Sequence, residues 1–109
     1  MDTDDVLAAN RSFYEAHEAR DLEAMAAIWD TADRAVCIHP GWPTLRGWDA
    51  IEASWAAIFG GPGRNQFILT NVEVEVVGDT AWVTCDENLV DMAAAVSYTH
   101  LTLPTTPYV

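Results

Sequence analysis

Residues 66–90, QFILTNVEVEVVGDTAWVTCDENLV, decide the fold. Their apolar residues recur at every second position, where a helix would repeat them at every third or fourth. Phe67, Leu69 and Asn71 alternate with Ile68 and Thr70, and then Val72, Val74 and Val76 alternate with Glu73 and Glu75. Gly78-Asp79 interrupts the pattern as a turn, and residues 80–90 resume it. Two long strands joined in this way predict an antiparallel hairpin. Alternation turns Glu73 and Glu75 to solvent, which removes them as candidates for chemistry. On the return strand Val83, Cys85 and Glu87 share one face, while Trp82, Thr84, Asp86 and Asn88 share the other.

Upstream the period lengthens to that of helices. Asp49 starts one with Ile51, Trp55, Ile58 and Phe59 on one face, and Gly60-Gly61-Pro62-Gly63 ends it. A turn-rich loop over residues 41–48 precedes it, after a short β-type run at residues 35–39, AVCIH, stopped by Pro40-Gly41. Asp21 caps an earlier helix with the stripe Leu22, Met25, Ala26, Ile28 and Trp29. Asp4 or Asp5 caps the first, in which Val6, Leu7, Phe13, Tyr14 and His17 recur near helical spacing before Arg20-Asp21 breaks it. Helix, helix, strand, helix and hairpin imply an α+β domain with helices on one face of the sheet. Two or three strands cover too little of these helices, so more strands are expected after Val90.

Composition narrows the function classes. The 109 residues allow one domain. The net charge is −12 with no lysine, which repels phosphate backbones and anionic membrane surfaces. No apolar run reaches the length of a membrane span, and the acidic start Met1-Asp2-Thr3-Asp4-Asp5 is unlike a secretory signal. Cys37 and Cys85 are too few and too far apart for a disulfide framework and read as free buried thiols. A cytoplasmic location follows by default.

Residues 96–109, VSYTHLTLPTTPYV, have a different composition. All seventeen acids and all five arginines lie before them, while four of the ten threonines and two of the five prolines fall inside. Back-translated as GTC TCT TAT ACA CAT CTG ACG CTG CCG ACG, residues 96–105 resemble read-through of a transposon-type sequencing adapter. We therefore expect residues 1–95 to be the native part, an incomplete domain, and residues 96–109 to be a non-native tail of the kind left by fusion scars.

Five motifs carry a family resemblance. They are Phe13-Tyr14-Glu15-Ala16 with Arg20-Asp21-Leu22-Glu23-Ala24-Met25, then Cys37-Ile38-His39-Pro40-Gly41-Trp42, Arg46-Gly47-Trp48-Asp49-Ala50-Ile51, and the turn Val76-Val77-Gly78-Asp79-Thr80-Ala81-Trp82-Val83-Thr84. In this order they resemble the NTF2-like superfamily and, within it, a SnoaL-like domain. The resemblance implies a curved antiparallel sheet wrapped around helices, a conical pocket, and dimers packed through the sheet. It also implies two further strands after the hairpin, which would be missing here. Members include isomerases, cyclases and dehydratases as well as proteins without an assigned reaction.

The resemblance further implies a pocket opening where the first strand ends, at His39. In ketosteroid isomerases the general-base Asp holds this position. Here an imidazole replaces it, which can act as a base near neutral pH. The isomerase's oxyanion tyrosine falls at Phe13, with Tyr14 one residue along and turned about 100° around the helix, so its donor is not at the expected place. Asp86 and Glu87 are the acidic candidates. If the Val83–Cys85 face packs on the helices, Glu87 points inward; if the Trp82 face does, Asp86 does. Valine and cysteine favour the first. Trp29, Trp42, Trp48 and Trp55 suit a pocket for a small apolar or aromatic molecule, or equally a core. Arg46 could bind a substrate carboxylate or pair with Asp49. No metal-ligand spacing, phosphate loop or dinucleotide fingerprint is present, so neither a metal nor a cofactor is expected.

Two functions stand open, because folds of this kind host both. One is cofactor-free isomerisation, dehydration or aldol-type cyclisation, with His39 as base and Asp86 or Glu87 assisting. The other is a non-catalytic ligand-binding or homodimerising module. An inactive, aggregating fragment is the third expectation if closing strands are missing.

Overall fold

The computed structural model describes residues 2–91 and 102–105. In chain order they form α1 (Thr3–Ala19), α2 (Leu22–Ile28), β1 (Val36–Cys37), β2 (Leu45–Arg46), α3 (Trp48–Gly60), β3 (Asn65–Val77), β4 (Thr80–Asp91) and β5 (Thr102–Thr105). The strands make two antiparallel sheets, β1-β2 and β3-β4-β5. The architecture is the expected α+β one, with helices against a sheet. No helix among the described residues is long and apolar enough to cross a membrane.

The hairpin register runs from Asn65 opposite Asp91 to Val77 opposite Thr80. Gly78, at φ 59°, is the first residue of the two-residue turn, where a type II′ hairpin requires glycine. The phase change in the sequence has a physical cause. Thr70 pairs with Asp86 and Glu73 with Thr84, so Asn71 and Val72 together oppose Cys85 as a β-bulge. Asn71 takes a left-handed φ of 54°, which asparagine tolerates better than most residues. The bulge lets Phe67 and Leu69 before it, and Val74 and Val76 after it, share the more buried face. On β4 that face carries Val83, Cys85 and Glu87, while Asp86 and Trp82 are exposed on the other.

Burial concentrates where α2, α3 and β1 meet α1. Met25 and Ile51 are wholly buried, and Trp55, Ala16, Ala35 and Cys37 complete the cluster. The helix starts depart from expectation in two places. Asp2, not Asp4 or Asp5, caps α1, its Oδ1 accepting from the Asp4 N–H at 3.0 Å. Asp4 and Asp5 instead sit in the first turn, where their charge opposes the helix dipole's positive end. Helix α3 begins at Trp48, with Gly47 as its cap and no side-chain bond. Asp21 caps α2 as expected, accepting from the Ala24 N–H at 3.0 Å.

The predicted run at residues 35–39 is a strand only at Val36–Cys37. Its partner β2, which the loop-like composition hid, pairs through two residues before the chain turns to cap α3. Helix α1 ends on Arg20 in the left-handed region at φ 56°. The Arg20 guanidinium donates to the carbonyls of Phe59 and Gly61, and to that of Gly63 at 2.7 Å. One side chain thus ties the end of α1 to the end of α3. Glu18 completes the docking of α1 on β3 by accepting the Phe67 N–H at 2.9 Å.

Candidate functional site

A cavity of about 350 Å³ opens between α1, β4 and the segment around β1. Helix α1 contributes Phe13, Tyr14 and His17 to it, because positions three and four apart share a helix face. Strand β4 contributes Val83, Cys85 and Glu87 by alternation. Cys37 and His39 enter two residues apart from the first strand, and Trp29 and Trp55 close the apolar side.

Glu87 is the acidic residue that faces this cavity. The Tyr14 hydroxyl donates to its Oε2 at 2.5 Å, and the Cys85 Sγ lies 3.9 Å from the same hydroxyl. Burial, followed by the Glu87 hydrogen bond and charge, raises the Tyr14 pKa far above the ordinary phenol value, so it stays protonated and a donor. Tyr14 thus brings a hydroxyl donor to this cavity, although the position counted for the isomerase tyrosine is Phe13. Of the two acidic alternatives Asp86 faces away: it is exposed on the outer face, accepting from the Asn71 Nδ2 at 2.6 Å.

His39 is 7% exposed, and among the described residues its ring bonds neither a carboxylate nor a backbone carbonyl. Its Nε2 lies 2.8 Å from the Ser54 Oγ, and that hydroxyl donates to the Ile51 carbonyl at 2.6 Å. Serine has one proton to give, so Nε2 carries the imidazole proton and Nδ1 keeps its lone pair. Among the described residues the Cys37 thiol, 3.9 Å away, is the one hydrogen-bonding group that approaches Nδ1. Burial pushes that thiol up to about 11, so it remains protonated. The position of His39 follows from Pro40 and from Gly41 at φ 81°, which close a turn through the Trp42 N–H to His39 carbonyl bond at 2.9 Å.

His17 did not stand out in the sequence as a site residue. Its ring meets Phe67, Trp55 and Phe59 edge-on at centroid distances of 4.6, 5.0 and 5.9 Å. Burial lowers its pKa, and burial with the nearby His17 lowers that of His39. Both are then neutral in the fold at neutral pH. The unfolded chain takes up protons at about pH 6.5, before either folded imidazole does, so acid favours unfolding. Stability is expected to fall as pH drops from about 7.5 through 6.5 towards the lowered folded values. Urea midpoints at about pH 7.5 and 5.5 check this, and His17→Phe should flatten the dependence. A midpoint that rises on acidification would contradict it.

The other expected residues divide. Phe13, Trp29 and Trp55 line the cavity beside Tyr14. Trp42 is 41% exposed and touches His39 edge-on from outside, at 5.1 Å. Trp48 packs on Trp29 at 6.3 Å instead of on His39, and Arg46 is exposed on β2 opposite Val36. Trp42, Trp48 and Arg46 therefore stand outside the cavity lining. Among the described residues no three His, Cys, Asp or Glu side chains group as a metal site. Cys37 and Cys85 are free and buried, and His100 lies outside the described residues.

The profile of the SnoaL-like domain family matches residues 6–105. A candidate dehydratase of the NTF2-like family from Streptomyces avermitilis superposes with a TM-score of 0.79 at 41% identity, covering 83% of this chain and 68% of that one. A candidate calcium/calmodulin-dependent protein kinase type II association domain from Thiobacillus denitrificans gives a TM-score of 0.70 at 38% identity, covering 75% and 65%. The F-box protein SKIP8 of Arabidopsis thaliana is 29% identical over 79 residues, which are 72% of this chain and 34% of the plant protein. The chain thus spans about a third of that relative.

Proposed function

Because the chain belongs to the SnoaL-like domain family with an NTF2-like fold, we propose that its cavity binds a small apolar or aromatic molecule and moves a proton on it without a cofactor. The observation that carries this reading is a phenol donor, a carboxylate and an imidazole with an available lone pair lining one cavity. His39 acts as the base through Nδ1. Glu87 assists, its Oε2 held by Tyr14. The reaction class is enolisation-driven isomerisation, dehydration or aldol-type cyclisation, and the description of the Streptomyces neighbour as a candidate dehydratase agrees with it.

Deuterium uptake tests the reading. β-Hydroxy ketones and enolisable cyclic ketones are incubated with the protein in D2O and their α-protons followed by NMR. Accelerated exchange is expected, retained in Glu75→Gln on the exposed outer face. Binding without acceleration of any of these carbonyl compounds would overturn the catalytic reading.

A second reading, a homodimerising ligand module, is favoured by the outer hairpin face. Ile68, Val77 and Trp82 are exposed there at 50, 63 and 39%, an apolar surface suited to a second copy. The kinase-association description of the second neighbour points the same way. The charge of −12 supports a protein that binds neither nucleic acid nor anionic membranes. Residues 96–109 we read as a non-native tail on composition, although the family match extends to residue 105 and Thr102–Thr105 pair with β4.

A further inference from the structure

Drawing a proton from the carbon beside a carbonyl leaves charge on the oxygen, and a donor in the cavity must meet it. Most of the side-chain donors among the described lining residues are spent. The single Tyr14 proton goes to Glu87, and the Nε2 proton of His39 goes to Ser54. The Trp29 Nε1 donates to the Met25 Sδ at 3.2 Å, and the Trp55 Nε1 is enclosed. The His17 ring bonds its own backbone, a contact that favours the protonated ring and so uses its N–H. A neutral imidazole has no second proton to give, and the thiols of Cys37 and Cys85 are weak donors. Asn10 remains. It belongs to the stripe Asn10, Phe13, Tyr14 and His17 by which α1 lines the cavity, one turn before Tyr14. It is half-buried, and no group among the described residues engages its amide, which carries two N–H donors.

We propose that Asn10 is a catalytic residue, its Nδ2 holding the carbonyl oxygen of a substrate whose neighbouring carbon is deprotonated by His39. The inference rests on the proton-transfer reading above and adds the group that receives the developing charge. The Nδ1 of His39 takes the α-proton as the C–H bond breaks. The freed electron pair forms the enolate C=C bond, and the carbonyl π pair moves onto the oxygen at Asn10. Return of a proton from the imidazolium, to the same carbon or to a conjugated one, restores both the carbonyl and the base. The two groups come from different walls, Asn10 from α1 and His39 from the end of β1, so the substrate spans them. The amide also selects a carbonyl compound over a hydrocarbon of the same shape.

The test uses α-tetralone, labelled with carbon-13 at the carbonyl, and its analogue with an exocyclic methylene in place of the oxygen. The NMR resonance of the bound carbonyl should lie downfield in the parent of its place in Asn10→Leu, because the amide withdraws charge from the oxygen. Exchange of the α-protons in D2O should fall about 100-fold in kcat in Asn10→Leu, with KM within about 3-fold of the parent, since the bond strengthens as charge develops. Asn10→Gln returns an amide and should recover the downfield resonance and part of the rate. The methylene analogue, followed by the fluorescence of the lining Trp29 and Trp55, should bind the parent and Asn10→Leu within about 3-fold, which shows the cavity intact. A carbonyl resonance that is the same in the parent and Asn10→Leu, or exchange in Asn10→Leu within about 3-fold of the parent, overturns the assignment of Asn10 alone. A resonance difference without exchange in either protein upholds Asn10 as the carbonyl-holding group and overturns the proton-transfer reading. Binding of neither compound to the parent overturns both.

Discussion

Replacing Trp55 with alanine is expected to cost about 3–5 kcal/mol, the range for truncating a buried aromatic. A domain of this size has roughly 5–15 kcal/mol to lose, so the variant should stand near its unfolding threshold. Trp55 is 2% exposed and sits at the centre of the ring cluster. Its centroid lies 4.7 Å from His39, 5.0 Å from His17, 5.4 Å from Phe59 and 5.7 Å from Phe13. Removing it takes a wall from both the core and the cavity. Its Nε1 is buried without a hydrogen-bond partner among the described residues, so truncation forfeits packing and no protein hydrogen bond. Trp55→Phe keeps much of the packing and deletes that donor, whose burial without a partner itself costs about 1–3 kcal/mol. Phenylalanine should therefore be tolerated with a loss below about 1.5 kcal/mol. Urea unfolding of the two variants measures the difference. Equal losses in both would mean that the indole N–H, and not ring volume, is what the position requires.

The features set by local periodicity were legible in the sequence. The two-residue period located the hairpin and its Gly78-Asp79 turn, and the change of phase at Asn71 and Val72 was the bulge written in residues. Alternation on β4 put Glu87 with Val83 and Cys85, and burial follows that face. What depended on how one element rotates against another was not legible. Counting along α1 placed the tyrosine position at Phe13, yet the helix docks with Tyr14 towards β4 and with Phe13 also reaching the tryptophans. Trp42 and Trp48 are near His39 in sequence, but the turn through Gly41 leaves Trp42 outside and the start of α3 sends Trp48 to Trp29. Ser54, the residue that fixes the His39 tautomer, is fifteen positions away on α3. A serine in an apolar helix face carries no signal that an imidazole will meet it.

Loss of the His39 imidazole should lower proton exchange on a carbonyl substrate by about 10²- to 10⁴-fold, the usual contribution of a positioned general base. Glutamine is the informative replacement, because its amide N–H can still donate to the Ser54 Oγ that now receives the Nε2 proton. The fold then keeps its buried bond while the lone pair at Nδ1 is lost. The pH profile separates this role from a structural one. Catalysis needs the unprotonated ring, and burial with the neighbouring His17 lowers the pKa of His39 below its ordinary value. The rate should climb with pH to a midpoint below about 6.5 and stay level through neutrality. Residual exchange in His39→Gln should lack that step. Ser54→Ala gives the complementary result. With no oxygen to receive the Nε2 proton, the ring is free to turn and to exchange tautomers, so the rate should fall by about 10-fold while the pH step survives. If His39→Gln exchanges within about 3-fold of the parent and keeps its pH step, the imidazole is a structural partner for Ser54, and the base must be sought at His17 or Glu87, the other proton acceptors on the same cavity.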